Sequence, residues 1–289
     1  MWGRAAVVVY AALWGVSTVF RQFTPPPAVP EGMRTATLAG NVRLAYLDSE
    51  AGLPVLLIHG SPGSSDVLRG LMEQIPRRYR CIVPDLPGFG ASTHGLPDYS
   101  FKAHARYLLE LMDRLGIARA HLVAFSMGGG VALSMAALAP DRVQSIAMIS
   151  AIGVQEHELA GSYVVNHVAH ATLLSALWLL REMAPHFGYL DRGFLTVEFA
   201  RNFFDSDQRP LRAVLEGYRG PMLIVHGDRD SHVPLSAALA HHSIVPQSDL
   251  VVLHDNHYMI FEHPDRIAKP LIRFLDREYN AVSSSSTGK

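Results

Sequence analysis

The sequence predicts an α/β protein: a mostly parallel, twisted sheet flanked by helices, with a helical insertion late in the chain. Three observations carry this. Short, uninterrupted apolar runs recur along the 289 residues, helix-length segments separate them, and the alternation breaks between residues 153 and 217. Runs without a polar alternate suit strands buried on both faces of a parallel sheet. Strand and helix in alternation give the layered α/β class.

The elements follow in chain order. Thr35–Ala39 and Val42–Leu47, joined at Gly40-Asn41, read as a hairpin. The buried-strand runs are Val55–Ile58, Cys81–Val83, His121–Phe125, Ile146–Ile149, Met222–Val225 and Leu250–Leu253. Helices are expected at Phe101–Leu115, where Leu108, Leu111, Met112 and Leu115 recur at helical spacing, and at Met127–Ala139, Pro234–His242 and Pro264–Asp276. Leu173–Leu180 and Phe194–Phe204 fall in the interruption and read as helices placed over the carboxyl edge of the sheet, where open α/β sheets hold their ligands.

The two ends differ from this body. Ala5–Phe20 is apolar and uncharged, bracketed by Arg4 and Arg21. It is marginal in length for a membrane span of about 20 residues. The readings are an uncleaved anchor, a cleaved secretion signal and a helix packed on the domain. The anchor gives a membrane-associated protein, signal cleavage a secreted or periplasmic one. Thr24-Pro25-Pro26-Pro27 and Pro30 read as a stiff spacer, and Ser283–Lys289 as a disordered tail. The expected organisation is an anchor or signal at 1–21, a linker at 22–34, a core at 35–152 and 218–281, a helical cap at 153–217 and a tail at 282–289.

Composition excludes several classes. Lys and Arg total 25 against 26 Asp and Glu, so no basic excess exists to neutralise a run of phosphates, and no nucleic-acid partner is expected. The charged share of 18% and hydrophobic share of 49% exclude a disordered chain. A single cysteine, Cys81, excludes an internal disulfide framework and a cysteine-based zinc cluster, and reads as a buried strand thiol. His167 and His170 have metal-compatible spacing without an accompanying carboxylate pair and read as packed or solvated residues, so no metal is expected.

Chemistry gathers at the strand ends. Ala124-Phe125-Ser126-Met127-Gly128-Gly129-Gly130 is a strand, a serine among small residues, then a helix start, the pattern of a nucleophile elbow. Val55–Ile58 runs into His59-Gly60-Ser61-Pro62-Gly63. Asp85-Leu86-Pro87-Gly88-Phe89-Gly90-Ala91-Ser92, Gly227-Asp228-Arg229-Asp230-Ser231-His232-Val233-Pro234 and Asn256-His257-Tyr258-Met259-Ile260-Phe261-Glu262-His263-Pro264 follow later strands. Together these segments resemble the α/β-hydrolase superfamily over about residues 35–279, leaving out the insertion. Ala124 stands where the elbow usually has its first glycine, and Asn256 where the histidine loop has glycine. Asn fits there because it also enters left-handed backbone.

The resemblance implies an α/β-hydrolase fold with a helical cap and a Ser126–Asp230–His257 triad, with no cofactor. It also implies an oxyanion hole made by the backbone N–H groups of Ser61 and Met127. Asp228 is the nearest rival for the acid. His59, Asp85, Ser92 and Glu262 have structural roles in this likeness. The expected reaction is hydrolysis of a small-molecule carboxylic ester through an acyl-enzyme on Ser126. Leu177, Trp178 and Phe194 of the insertion are candidates for an acyl pocket, which with the apolar amino end points to lipid-like or medium-chain esters. The alternatives are a carbon–carbon bond hydrolase of the same fold and a membrane-tethered binding protein without turnover. Oligomeric state is not legible.

Overall fold

The computed structural model describes residues 2–191 and 195–286. Among them, eight strands form one sheet in the order β1-β2-β4-β3-β5-β6-β7-β8. The strands are β1 (Arg34–Leu38), β2 (Val42–Asp48), β3 (Leu53–Ile58), β4 (Tyr79–Pro84), β5 (Ala120–Phe125), β6 (Val143–Ile149), β7 (Met222–Gly227) and β8 (Asp249–Leu253). β2 pairs antiparallel with both β1 and β4, and every later pairing is parallel. The expected hairpin and strands are therefore all present and the fold is the predicted one, except that Leu250–Leu253 is not buried on both faces: it lies in the edge strand β8, where Val252 is exposed.

The helices are α1 (Trp2–Gln22), α2 (Asp66–Gln74), α3 (Phe101–Arg114), α4 (Gly128–Leu138), α5 (Tyr163–Met183), α6 (Val197–Phe204), α7 (Arg209–Gly217), α8 (Leu235–Ile244), α9 (Met259–Glu262) and α10 (Pro264–Ser286). Apolar side chains on the two faces of the sheet make two cores. One lies beneath α3, α4, α7 and α8, the other beneath α2 and α10. Cys81 is buried in the second core, and burial followed by the nearby Asp48 charge pushes its thiol up to about 12, so it is an inert packing residue. α10 continues to Ser286 and so takes in residues 282–286, which the serine-rich composition assigned to a tail, while 287–289 lie outside the described residues.

α5, α6 and α7 leave the sheet after β6 and return to it at β7, the interruption seen in the sequence. α1 leans on the far end of α5. Trp14 Nε1 donates to the Glu182 carbonyl at 2.6 Å, Tyr10 Oη to that of Met183, and Arg21 pairs with Asp191 at 3.0 Å. The proline-rich segment passes along the body, where Arg43 donates to the Pro27 carbonyl at 3.2 Å.

Candidate active site

β5 ends in a turn that places Ser126 at φ 53°, a left-handed conformation that serine adopts only under constraint. Close packing supplies the constraint. A Cβ on Gly128 would lie 2.5 Å from the Ile58 carbonyl oxygen, and one on Gly60 2.8 Å from Ser126 Cβ. Ala124, two residues before the serine, is completely buried in β5 between β3 and β6, so its methyl fits where glycine is usual.

Two other strand ends reach Ser126. His257 Nε2 lies 3.2 Å from Ser126 Oγ, and His257 Nδ1 lies 2.7 Å from Asp230 Oδ2. A carboxylate only accepts, so Nδ1 carries the proton and Nε2 is free to accept from the serine hydroxyl. Asp230 Oδ1 accepts the backbone N–H groups of His232 and Val233, each at 2.9 Å. Burial by itself raises the Asp230 carboxyl, but the His257 hydrogen bond, its charge and the two N–H groups outweigh that and hold it below the ordinary carboxylate range. The imidazole of His257 is itself packed, with Phe125 5.0 Å away on one side and the stacked ring of His232 at 4.8 Å. Tyr258 Oη lies 3.2 Å from His232 Nε2 and steadies that second ring.

Asp228, the rival acid, points elsewhere and pairs with exposed His254 at 2.8 Å. Ser61 and Met127 both line the cavity beside Ser126, and among the described residues neither backbone N–H donates to a protein acceptor. Ser61 Oγ is buried there without a partner as well. His59 is locked into its turn. It accepts from Leu86 N–H through Nε2 at 2.9 Å and donates from Nδ1 to the Gly60 carbonyl at 2.6 Å. Asp85 accepts the N–H groups of Ser65 and Ala91 at 2.7 and 2.8 Å, and Ser92 Oγ donates to its carbonyl at 2.6 Å.

Asn256 does not adopt the left-handed backbone expected of a glycine substitute, since it is not among the non-glycine residues of positive φ. Its side chain closes the loop instead, accepting from Tyr258 N–H at 2.6 Å and donating to Glu262 at 3.3 Å. Gly227 at the end of β7 packs against the same loop, where a Cβ would meet the Asp255 carbonyl at 2.5 Å.

A cavity of about 590 Å³ opens over the serine. The sheet side contributes Phe125, His257, Tyr258 and Phe261, and the insertion contributes Leu159, His170, Leu173, Phe199 and Phe203. Of the expected pocket residues, Leu177 and Trp178 do not line it. Leu173 faces the cavity, Leu177 is one turn further along α5 and beyond the wall, and Trp178 turns onto the outer face. Phe194 lies outside the described residues. Sequence reasoning missed Phe199, Phe203 and His232. The i, i+4 aromatic pair on α6 was a visible signal, whereas the stacking of His232 depends on a turn no spacing rule specifies.

Two groups bring metal-type ligands close together. Atoms of Asp230, His232 and His257 lie within 4.8 Å of one another, as do those of Asp255, Glu262 and His263. In the first group the rings are stacked 26° apart, so their in-plane lone pairs run side by side rather than converging, and Nδ1 of His257 is committed to Asp230. In the second, Asp255 is occupied by Arg266 at 2.5 Å and His263 at 3.0 Å.

Comparison with known proteins agrees with this architecture. The sequence profile of the alpha/beta hydrolase fold matches residues 54–196. The dihydrolipoyllysine-residue acetyltransferase component of an acetoin cleaving system from Pseudomonas putida is 29% identical over 252 residues, covering 81% of this chain and 66% of that longer protein. A 2-hydroxy-6-oxo-2,4-heptadienoate hydrolase, also from Pseudomonas putida, is 28% identical over 250 residues, 74% of this chain and 86% of its own. Among solved structures, a thermophilic esterase from Thermogutta terrifontis superposes with a TM-score of 0.72 at 23% identity, covering 85% of this chain and 98% of that one. With the sheet order, the strained serine turn and these likenesses in agreement, the chain belongs to the α/β-hydrolase superfamily.

Proposed function

We propose that the protein is a serine hydrolase of uncharged carboxylic esters, acting through an acyl-enzyme on Ser126. The observation that carries this is the unbroken hydrogen-bond chain Ser126–His257–Asp230 at the floor of a mainly apolar cavity. His257 Nε2 takes the hydroxyl proton as Ser126 Oγ attacks the ester carbonyl. Asp230 holds the tautomer and stabilises the imidazolium. The N–H groups of Ser61 and Met127 receive the developing oxyanion, the second of them beside the amino end of α4. The imidazolium then protonates the leaving alcohol, and water repeats the sequence on the acyl-enzyme. The residues 153–217 act as a cap whose Leu173, Phe199 and Phe203 receive the acyl chain. α1 anchors the protein to a membrane, since this apolar helix is long enough to span one and, apart from its contacts with the end of α5 and the turn after it, is left exposed among the described residues.

A second reading, a carbon–carbon bond hydrolase, is favoured by relatives named as hydrolases of 2-hydroxy-6-oxo-2,4-heptadienoate and 2-hydroxymuconate semialdehyde. The pocket chemistry favours the ester. A dienoate carries a carboxylate, and among the described lining residues there is no Lys or Arg to receive it, while Glu158 would repel it. The test is hydrolysis of nitrophenyl esters from acetate to palmitate, beside a dienoate and a Ser126→Ala control. Ester turnover that vanishes in the control supports the reading. Turnover of the dienoate alone replaces it with the second.

A further inference from the structure

α5 has its polarity inverted. A helix on a protein surface normally turns charge to solvent and apolar residues inward. From Tyr163 to Leu180 this helix holds no charged residue at all. Its histidines and Asn166 face inward. His167 is stacked between Tyr163 and Phe204, His170 lies against Phe203, and Asn166 binds the Glu158 carbonyl at 2.9 Å. The outward residues Val164, Val168, Trp178, Leu179, Leu180 and Met183 are each more than half exposed. The two hydroxyls on this face, Thr172 and Ser175, donate back to the carbonyls of Val168 and Ala171 at 2.8 Å. Hydroxyls satisfied inside their own helix ask nothing of the surroundings, as a hydrocarbon contact demands.

α1 shares these properties. Gly3–Gln22 is 20 residues long and almost wholly exposed, enough to cross a bilayer, and its Thr18 likewise donates to its own helix, at the Trp14 carbonyl, 2.9 Å away. A contact with a second copy through one face leaves a helix that is apolar all round still bare, whereas lipid surrounds it. Trp14, Tyr10 and Arg21 bind α1 to the carboxyl end of α5 and the turn after it, and Phe20 meets Phe187 edge-on at 5.9 Å. The two bare surfaces are therefore continuous.

We propose that the outer face of α5 lies against the hydrocarbon boundary of a lipid bilayer, a second membrane contact beside α1, and that the cavity takes its acyl substrate from that lipid. Leu173 belongs both to the exposed face and to the cavity wall, and Leu159 and Phe261 continue an apolar rim from it. An acyl chain reaches Ser126 along these side chains without crossing water. The substrate clause rests on the ester reading. The docking surface rests on α5 and α1 alone.

The test uses the full chain in phosphatidylcholine vesicles and reads no activity. With Trp2→Phe and Trp14→Phe, Trp178 is the sole tryptophan of the three. Replacing the lipid by its 6,7-dibromo form is expected to reduce Trp178 emission about twofold, as for a side chain at the acyl boundary. Unchanged emission overturns the proposal. Because Trp14→Phe removes a bond between α1 and α5, Val168→Cys carrying a nitroxide gives an independent reading with every tryptophan in place. Faster relaxation by oxygen than by a water-soluble nickel chelate supports lipid contact. The reverse overturns it, as does a label shielded from both in a protein that runs as a dimer. If Trp178 is quenched and no ester is cleaved, the surface stands and the ester reading fails. Ester turnover with an unquenched Trp178 fails the surface alone.

Discussion

α4 and the stretch of α5 from Tyr163 to Leu180 both lack charged residues, and the molecule treats them oppositely. α4 starts at the serine turn and is enclosed by the sheet, α3 and α7, so residues Gly128 to Ala136 are all buried. α5 buries only Asn166 fully and leaves its apolar residues outside. The same composition thus has two explanations. The burial of α4 holds the turn at Ser126 rigid, while among the described residues nothing covers the outer face of α5. Ser126 stands just before the enclosed helix, and Leu173 of the bare one borders the cavity above it.

The largest expected effect is on the enclosed side. Asp230→Asn leaves the fold and substrate binding intact but gives His257 the wrong tautomer, lowering kcat by about 10⁴-fold with KM little changed, as steady-state kinetics will measure. Next is a matched pair of charges. Ala132→Glu places an unpaired carboxylate in the fully buried α4 and is expected to cost about 4 kcal/mol or prevent folding. Ala176→Glu, on the exposed face of α5, is expected to stay within about 0.5 kcal/mol in denaturant titration. Equal losses from the two would erase the contrast between the helices.

Acid sharpens the same comparison, because the core holds uncharged histidines. Burial pushes His104 and His121 down to about 4 and His241 to about 3, from an ordinary 6.5. The unfolded chain takes up these protons below pH 6.5 and the folded chain resists them. Stability is unaffected by these groups above pH 6.5 and is lost as pH falls towards 4, by at most about 1.4 kcal/mol per pH unit for each histidine. Urea titrations from pH 7 to 4 will show the slope, and His241→Gln will reduce it. A more modest effect than that of Asp230→Asn belongs to the cavity wall. Phe203→Ala removes an aromatic contact from the acyl side and is expected to lower kcat/KM for medium-chain esters about tenfold, with acetate nearly unchanged.

Legibility in the sequence divided along the same line. Buried strands appear as unbroken apolar runs, so the sheet could be read element by element, and turn motifs placed Ser126, Asp230 and His257 at the ends of three different strands. Their side chains do converge within hydrogen-bond distance. The insertion resisted reading because α5 has no charged face to set its rotation. Leu173 and Trp178 look alike in such a helix, yet one lines the cavity and the other faces out. Asn256 shows a similar limit. Residue type allowed a left-handed backbone, but the loop kept an ordinary one by spending the amide on Tyr258 and Glu262.

The most direct test of the central claim is covalent. A fluorophosphonate offered to the folded protein is expected to modify Ser126 stoichiometrically, located by peptide mass, and His257→Ala is expected to abolish the reaction. No modification of folded protein, or modification at a serine other than Ser126, would contradict the assignment of Ser126 as an activated nucleophile.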